Sequence, residues 1–204
     1  MATFLSAARL RIGFVLAATA LALLAAAPTS NASTSSCYYG PSSQPFAPWG
    51  DLASYTPVPG GTFESGAPGW TLAGGARVVS GNESFFVNSS RDVRSLYLPA
   101  GSSATTAPFC VSLLQPTIRV FVVNGGSSSS RLKVRVVFRG LLGILGILDG
   151  GTISASAAWQ PSPVMLATLN APLGTRAAQF VFTPTDSSGW RIDDLYLDPW
   201  VNRN

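Results

Sequence analysis

The side chains that do most protein chemistry are scarce in this chain. Its 204 residues contain no His, nine Asp and Glu, and two Cys. Without imidazole there is no Ser-His-Asp or Cys-His site, no His-ligated zinc and no physiological proton shuttle. Glu64 and Glu83 are the only Glu residues, and each sits beside Gly-rich turns. A glycosidase needs two carboxylates facing across a cleft, roughly 5 or 6.5–9.5 Å apart. No such constellation is evident, and the chain is not expected to be an enzyme.

The cations have a clearer pattern. In the segment 131–139, Leu132, Val134, Val136 and Phe138 alternate with Arg131, Lys133, Arg135 and Arg139, Val137 being the single interruption. A period of two is the mark of a half-buried antiparallel strand. Its outer face is either simply solvated or a cationic surface for an anionic polymer, with Arg131, Lys133 and Arg135 as contacts. Just beyond it, Leu141–Leu148 is an uncharged run of Leu, Ile and Gly. That run reads either as core strand or as an exposed contact surface; it is too short to span a membrane.

Elements that would position these residues follow from the ends inward. Residues 1–32 read as an export signal: Arg9 and Arg11, an uncharged Ala/Leu run, then Ser30-Asn31-Ala32 before the cut. Its removal leaves 11 cations against nine acids, too weak a footprint for nucleic acid. The product is expected to be secreted, with no membrane span once the signal is gone. Twelve Arg against the single Lys133 point to a high-GC bacterial genome. Two Cys in an exported chain favour a Cys37–Cys110 disulfide over two buried thiols. It would close a loop of about 73 residues, contributing roughly 4 kcal/mol in the chain-entropy model. Residues 33–57, rich in Ser, Pro and aromatics, read as an extended arm along the body.

From 58 to 204 no helical period appears. Short β-branched or aromatic runs recur between Gly, Pro, Ser and Asn clusters. They are expected at 70–79, 85–87, 95–98, 104–113, 117–123, 131–138, 152–159, 164–169, 177–183 and 191–197. The fold class is therefore all-β, an antiparallel sandwich.

Two signatures bracket this body: Gly60-Gly61-Thr62-Phe63-Glu64-Ser65-Gly66 with Gly69-Trp70, and Trp190-Arg191-Ile192-Asp193-Asp194-Leu195-Tyr196-Leu197-Asp198. Together they resemble the carbohydrate-binding modules related to families 4, 9 and 22. More narrowly, the chain resembles secreted actinobacterial proteins that carry such a module alone. The resemblance implies a galactose-binding-like jelly roll and a secreted, non-catalytic module for a polysaccharide or cell-wall polymer. An extracellular structural or protein-interaction domain is the alternative. It also implies a structural calcium held by Glu64 and by Asp193 or Asp194, with Thr62 and Glu83 (or Asn82) adding oxygens. Such modules stack sugar on exposed aromatic rings, for which Phe85, Phe86 and Tyr97 are the candidates. Trp70, Trp159 and Trp190 are expected to fill the core.

Overall fold

The computed structural model describes residues 40–111, 116–154, 156–168 and 170–198. These fall in the larger of the two units into which the chain divides, Cys37–Asn204. The expected signal and Cys37 lie outside the described residues, and with Cys37 the disulfide. Among the described residues, no helix is long and apolar enough to cross a membrane.

The strands are β1 (Thr56–Pro57), β2 (Thr71–Ala73), β3 (Arg77–Ser80), β4 (Arg94–Leu98), β5 (Ser103–Thr105) and β6 (Phe109–Cys110). They continue as β7 (Thr117–Asn124), β8 (Leu132–Gly140), β9 (Gly143–Ile153), β10 (Gln160–Pro161), β11 (Met165–Leu166), β12 (Ala177–Pro184) and β13 (Trp190–Asp198). They form two antiparallel sheets. One runs β10-β7-β13-β4-β3, with β1 on β13 and β11 on β7; the other runs β2-β5-β12-β8-β9, with β6 on β12. This is the expected all-β sandwich.

The core lies between the sheets and follows the period of two. Ile118, Val120 and Val122 of β7 and Leu96 and Leu98 of β4 meet Leu132, Val134, Val136 and Phe138 of β8. Phe180 and Phe182 of β12 complete the facing layer. Trp70 and Trp190 fill this core as expected, and Trp190 Nε1 donates to Ser130 Oγ at 2.8 Å. Trp159 does not; it is only half-buried and packs against a separate cluster on the outside of the seven-stranded sheet.

That second cluster corrects the picture of an extended arm. Within the described part of the arm, Ser43 bridges Tyr55 and the chain between them makes a 3-10 turn at Ala47–Trp49. The fold-back seats Phe46 and Tyr55 on Phe121 and Tyr196, whose side chains point away from the main core. Burying two large aromatic rings drives this, at roughly 1.5–3 kcal/mol each.

Several expected strands also change: 70–79 splits into β2 and β3, and 104–113 into β5 and β6. Residues 85–87 form a loop, because the Glu83 carboxylate takes the N–H groups of Phe85 and Val87 at 2.5 and 2.7 Å. Side-chain acceptors of this kind compete directly with a sheet ladder. The run at 152–159 ends at Ile153 and begins at Gly143, so Leu141–Leu148 becomes the β8–β9 turn and edge strand β9. With a neighbour on one side only, Leu142 is 98% exposed and Ile147 58%. The run is therefore largely exposed and not a core strand, with Leu148 alone packing against the core.

Candidate functional site

The last strand organises the candidate site. Its first residues, Trp190–Ile192, pair with β4, while Leu197 and Tyr196 pair with β1. Between these partners the register against β7 slips by one residue, from Asp193↔Phe121 to Tyr196↔Arg119. Strict alternation would set Ile192 and Leu195 on opposite faces. The bulge lets both enter the core and holds Asp194 at φ 46°, a left-handed conformation that Asp tolerates better than most residues.

At this bulge four carboxylates gather under loop 82–88. Glu83, Asp92, Asp193 and Asp194 are all buried, with Glu64 half-buried nearby. Each has a different occupation. Glu64 Oε1 accepts the N–H groups of Val93 and Arg94 at 2.9 and 2.8 Å. Asp193 accepts the N–H of Glu83 on one oxygen and that of Asp194 on the other. Glu83 has spent both oxygens on its own loop. Asn88 Nδ2 donates to Asp92. Asp194 is the exception: both its carboxylate oxygens are buried, and only the backbone N–H of Asn88 bears on them, outside good hydrogen-bond geometry, while Asn82 Oδ1 on the covering loop is buried without a partner.

The electrostatics follow from that crowding. Burial, with Asp194 beside it, pushes the Asp193 carboxyl up to about 9. Burial and then Glu83, Asp92 and Glu64 push Asp194 up to about 8. Burial also raises Glu83, against the pull of its backbone donors. Neither Arg77 nor Arg191 neutralises the group; the ion pairs among the described residues are Arg119–Asp51 and Lys133–Asp149.

The expected calcium set therefore divides. Glu64, Glu83 and Asp193 already hold backbone N–H groups, and Thr62 is half-buried in the turn before Glu64. Among the described residues no group of three acidic side chains is arranged to hold a metal ion. The oxygens whose chemistry fits a hard cation are those of Asp194 and Asn82, which would need backbone carbonyls to complete six to eight ligands.

Beside the acids, the same outer sheet face opens into a cleft of about 570 Å3. Tyr97, Trp159, Arg191, Asn124 and Ser84 line it, with Gly125 and Gly189 contributing bare backbone. Glycine at 189 is a packing requirement, since a Cβ there would lie 2.7 Å from the Tyr97 hydroxyl. Of the expected sugar contacts only Tyr97 is in the cleft. Phe85 and Phe86 sit on loop 82–88, 44% and 48% exposed, and Phe85 makes an edge contact with Trp49 at 4.7 Å. Trp159, which sequence reasoning assigned to the core, is the ring that joins Tyr97. The overlooked signal was the neighbouring Pro161-Ser162-Pro163, which restricts the chain there to a short edge strand beside β7.

Arg131, Lys133 and Arg135 belong to the other sheet, so they do not converge with Tyr97. Arg131 donates to the carbonyls of Ser128 and Ser130, and Lys133 pairs with Asp149 at 3.0 Å. Arg139 bonds Gln179. Only Arg135 stands exposed on that face without an ion pair among the described residues.

No family model matches the chain, and no curated protein does. Solved structures do. The family 22 module joined to the catalytic module of Clostridium thermocellum endo-1,4-β-D-xylanase 10B, complexed with xylohexaose, is 16% identical with a TM-score of 0.51. That match covers 68% of this chain and 27% of the xylanase chain, so this chain spans about a quarter of that enzyme. The family 22 xylan-binding domain of Paenibacillus barcinonensis is 17% identical (TM-score 0.47, covering 67% of this chain and 90% of that one). TmCBM61, in complex with β-1,4-galactotriose, is 14% identical (TM-score 0.49, covering 70% and 97%). The chain therefore has the β-sandwich fold seen in family 22 carbohydrate-binding modules.

Proposed function

We propose that this chain is a secreted, non-catalytic module that binds a polysaccharide or cell-wall polymer in the Tyr97–Trp159 cleft. The observation that carries the reading is an open cleft over the outer sheet face with two aromatic rings among its walls. Flat rings stack on the apolar faces of pyranoses while polar groups take the hydroxyls. The solved complexes of like fold with xylohexaose and β-1,4-galactotriose support saccharide as the ligand class. Affinity electrophoresis in xylan, galactan and other polysaccharides, with sedimentation on peptidoglycan, tests it. Trp159→Ala is expected to weaken retention about tenfold or more, while Phe85→Ala leaves it unchanged. Retention on none of the polymers would sink the reading.

We also propose that a calcium ion is held at the bulge by Asp194 and Asn82. It would offset the crowded carboxylates and tie loop 82–88 to β13, contributing stability and no chemistry.

The exposed edge favours a second reading, a protein-interaction domain. Leu141, Leu142, Ile144 and Ile147 lie in the β8–β9 turn and on an unpaired strand edge, a natural template for strand addition. On this reading the wild-type protein elutes as an oligomer at micromolar concentration, and Ile147→Lys returns it to a monomer. A wild-type monomer across that range removes self-pairing.

A further inference from the structure

Arg191 is in an unusual situation for a cleft cation. Its Nε donates to Ser95 Oγ at 3.0 Å, and Nη2 reaches Ser80 O, Gly81 O and Ser95 Oγ at 2.5, 2.7 and 2.7 Å. Every one of these acceptors is neutral. The ion pairs among the described residues involve other cations. A guanidinium held by carbonyls and a hydroxyl is fixed in place but keeps its charge.

The position is also built in advance. Gly81 has φ 102°, and a Cβ there would lie 2.7 Å from Arg191 Nη2. Only glycine lets the guanidinium lie against that turn. Across the sheet, Arg77, Tyr97, Arg191 and Val123 are successive cross-strand partners on β3, β4, β13 and β7. This row brings a second cation, Arg77, to 4.9 Å from the Tyr97 ring, and its Nη1 donates only to the Gly75 carbonyl. At the other end of the row Trp159 lies 5.9 Å from the Arg191 guanidinium. No carboxylate among the described residues lies within ion-pair distance of the Arg191 guanidinium.

We propose that the cleft is selective for acidic glycans, a carboxylate or sulfate ester docking on Arg191 while sugar rings rest against Tyr97 and Trp159. The inference deepens the saccharide-binding reading and rests on it. Nε and Nη2 are taken by the turn and Ser95, so the anion meets the Nη1 donors and the guanidinium charge, a charge-assisted contact that strengthens in a half-buried site. Because the cation is held in place before binding, little ordering cost opposes the contact.

The ligand-side experiment needs no variant. Calorimetric titration with a uronate-bearing glycan is compared with its carboxyl-reduced form and with a sulfated galactan, at about 0.1 M and about 0.5 M salt. The expected result is affinity at least tenfold weaker for the reduced glycan, with a loss for the acidic one on raising salt. Arg191→Gln should abolish the preference, with folding checked by thermal unfolding. Arg77→Gln, at an exposed cation, should reduce it about threefold. Gly81→Ala should weaken acidic-glycan binding with little effect on neutral glycan. Binding of the sulfated galactan alone supports the inference and identifies sulfate as the anion. Equal affinity for native and reduced glycan overturns it and leaves the saccharide module standing. Failure of every glycan overturns both.

Discussion

With chelator present, the thermal midpoint is expected to fall as pH rises from about 5 to about 8.5, and calcium to restore it. Asp193 and Asp194 sit near 9 and 8 in the folded chain, against about 4 in an unfolded one. Between those values the folded state holds protons that the unfolded state has released, so stability declines with pH across the window and is level below it. The loss is on the order of 10 °C for a domain of this size. Calcium bound only to the folded chain stabilises by mass action and holds the carboxylates ionised, which flattens the profile. Asp194→Asn removes the unpartnered carboxylate. In chelator it should raise the midpoint at pH 8.5, leave it nearly unchanged at pH 5, and abolish the response to calcium. A wild-type midpoint indifferent to calcium at both pH values would remove the ion from the bulge. A midpoint that stayed level with pH would show that Asp193 and Asp194 are not protonated when folded.

The second large effect lies in the folded-back arm. Phe46 stacks on Phe121 at 5.2 Å and meets Tyr55 and Tyr196 edge-on at 4.9 and 5.6 Å, with the Arg119 guanidinium 4.3 Å from its ring. Arg119 in turn pairs with Asp51 at 2.8 Å, and Tyr55 donates to the same carboxylate oxygen. Against the upward push of burial, these donors and the Ala53 N–H hold Asp51 below the usual carboxylate range. Phe46→Ala opens a cavity beneath an ion pair and is expected to cost about 3–5 kcal/mol. Limited proteolysis should then cut within 40–57 before the sandwich, and Phe46→Leu should recover most of the protection. If Phe46→Ala unfolds at the wild-type temperature with 40–57 still protected, the arm is fastened some other way.

The outer sheet face thus has three neighbouring uses. The arm covers one part through Phe46 and Tyr55, loop 82–88 covers the acids, and the Tyr97–Trp159 cleft opens beside them. Ser84 lines that cleft one residue from Glu83, whose N–H is bound by Asp193. A ligand in the cleft and an ion at the bulge would therefore share one loop.

How far the residue order alone reached can be judged from particular elements. The alternation Leu132, Val134, Val136, Phe138 was enough to place β8, because a sheet with one buried face leaves its period in the sequence. The sandwich was legible for the same local reason, and the Trp70 and Trp190 core positions from the tendency of large aromatic rings to be buried. Two things were not. Whether Asp193 or Asp194 carries the free carboxylate depended on a bulge, and an inserted residue cannot be seen in a pattern that assumes strict alternation. Which rings reach a ligand depended on which strands are neighbours. Tyr97, Arg191 and Trp159 lie at widely separated points of the chain and meet only through the pairing of β4, β13, β7 and β10. The chain's own order determined that it folds as strands with few acids and no imidazole. Tertiary pairing decided that the acids gather under one loop and that an unneutralised arginine faces a cleft, because sheet neighbours are chosen by burial across the whole molecule.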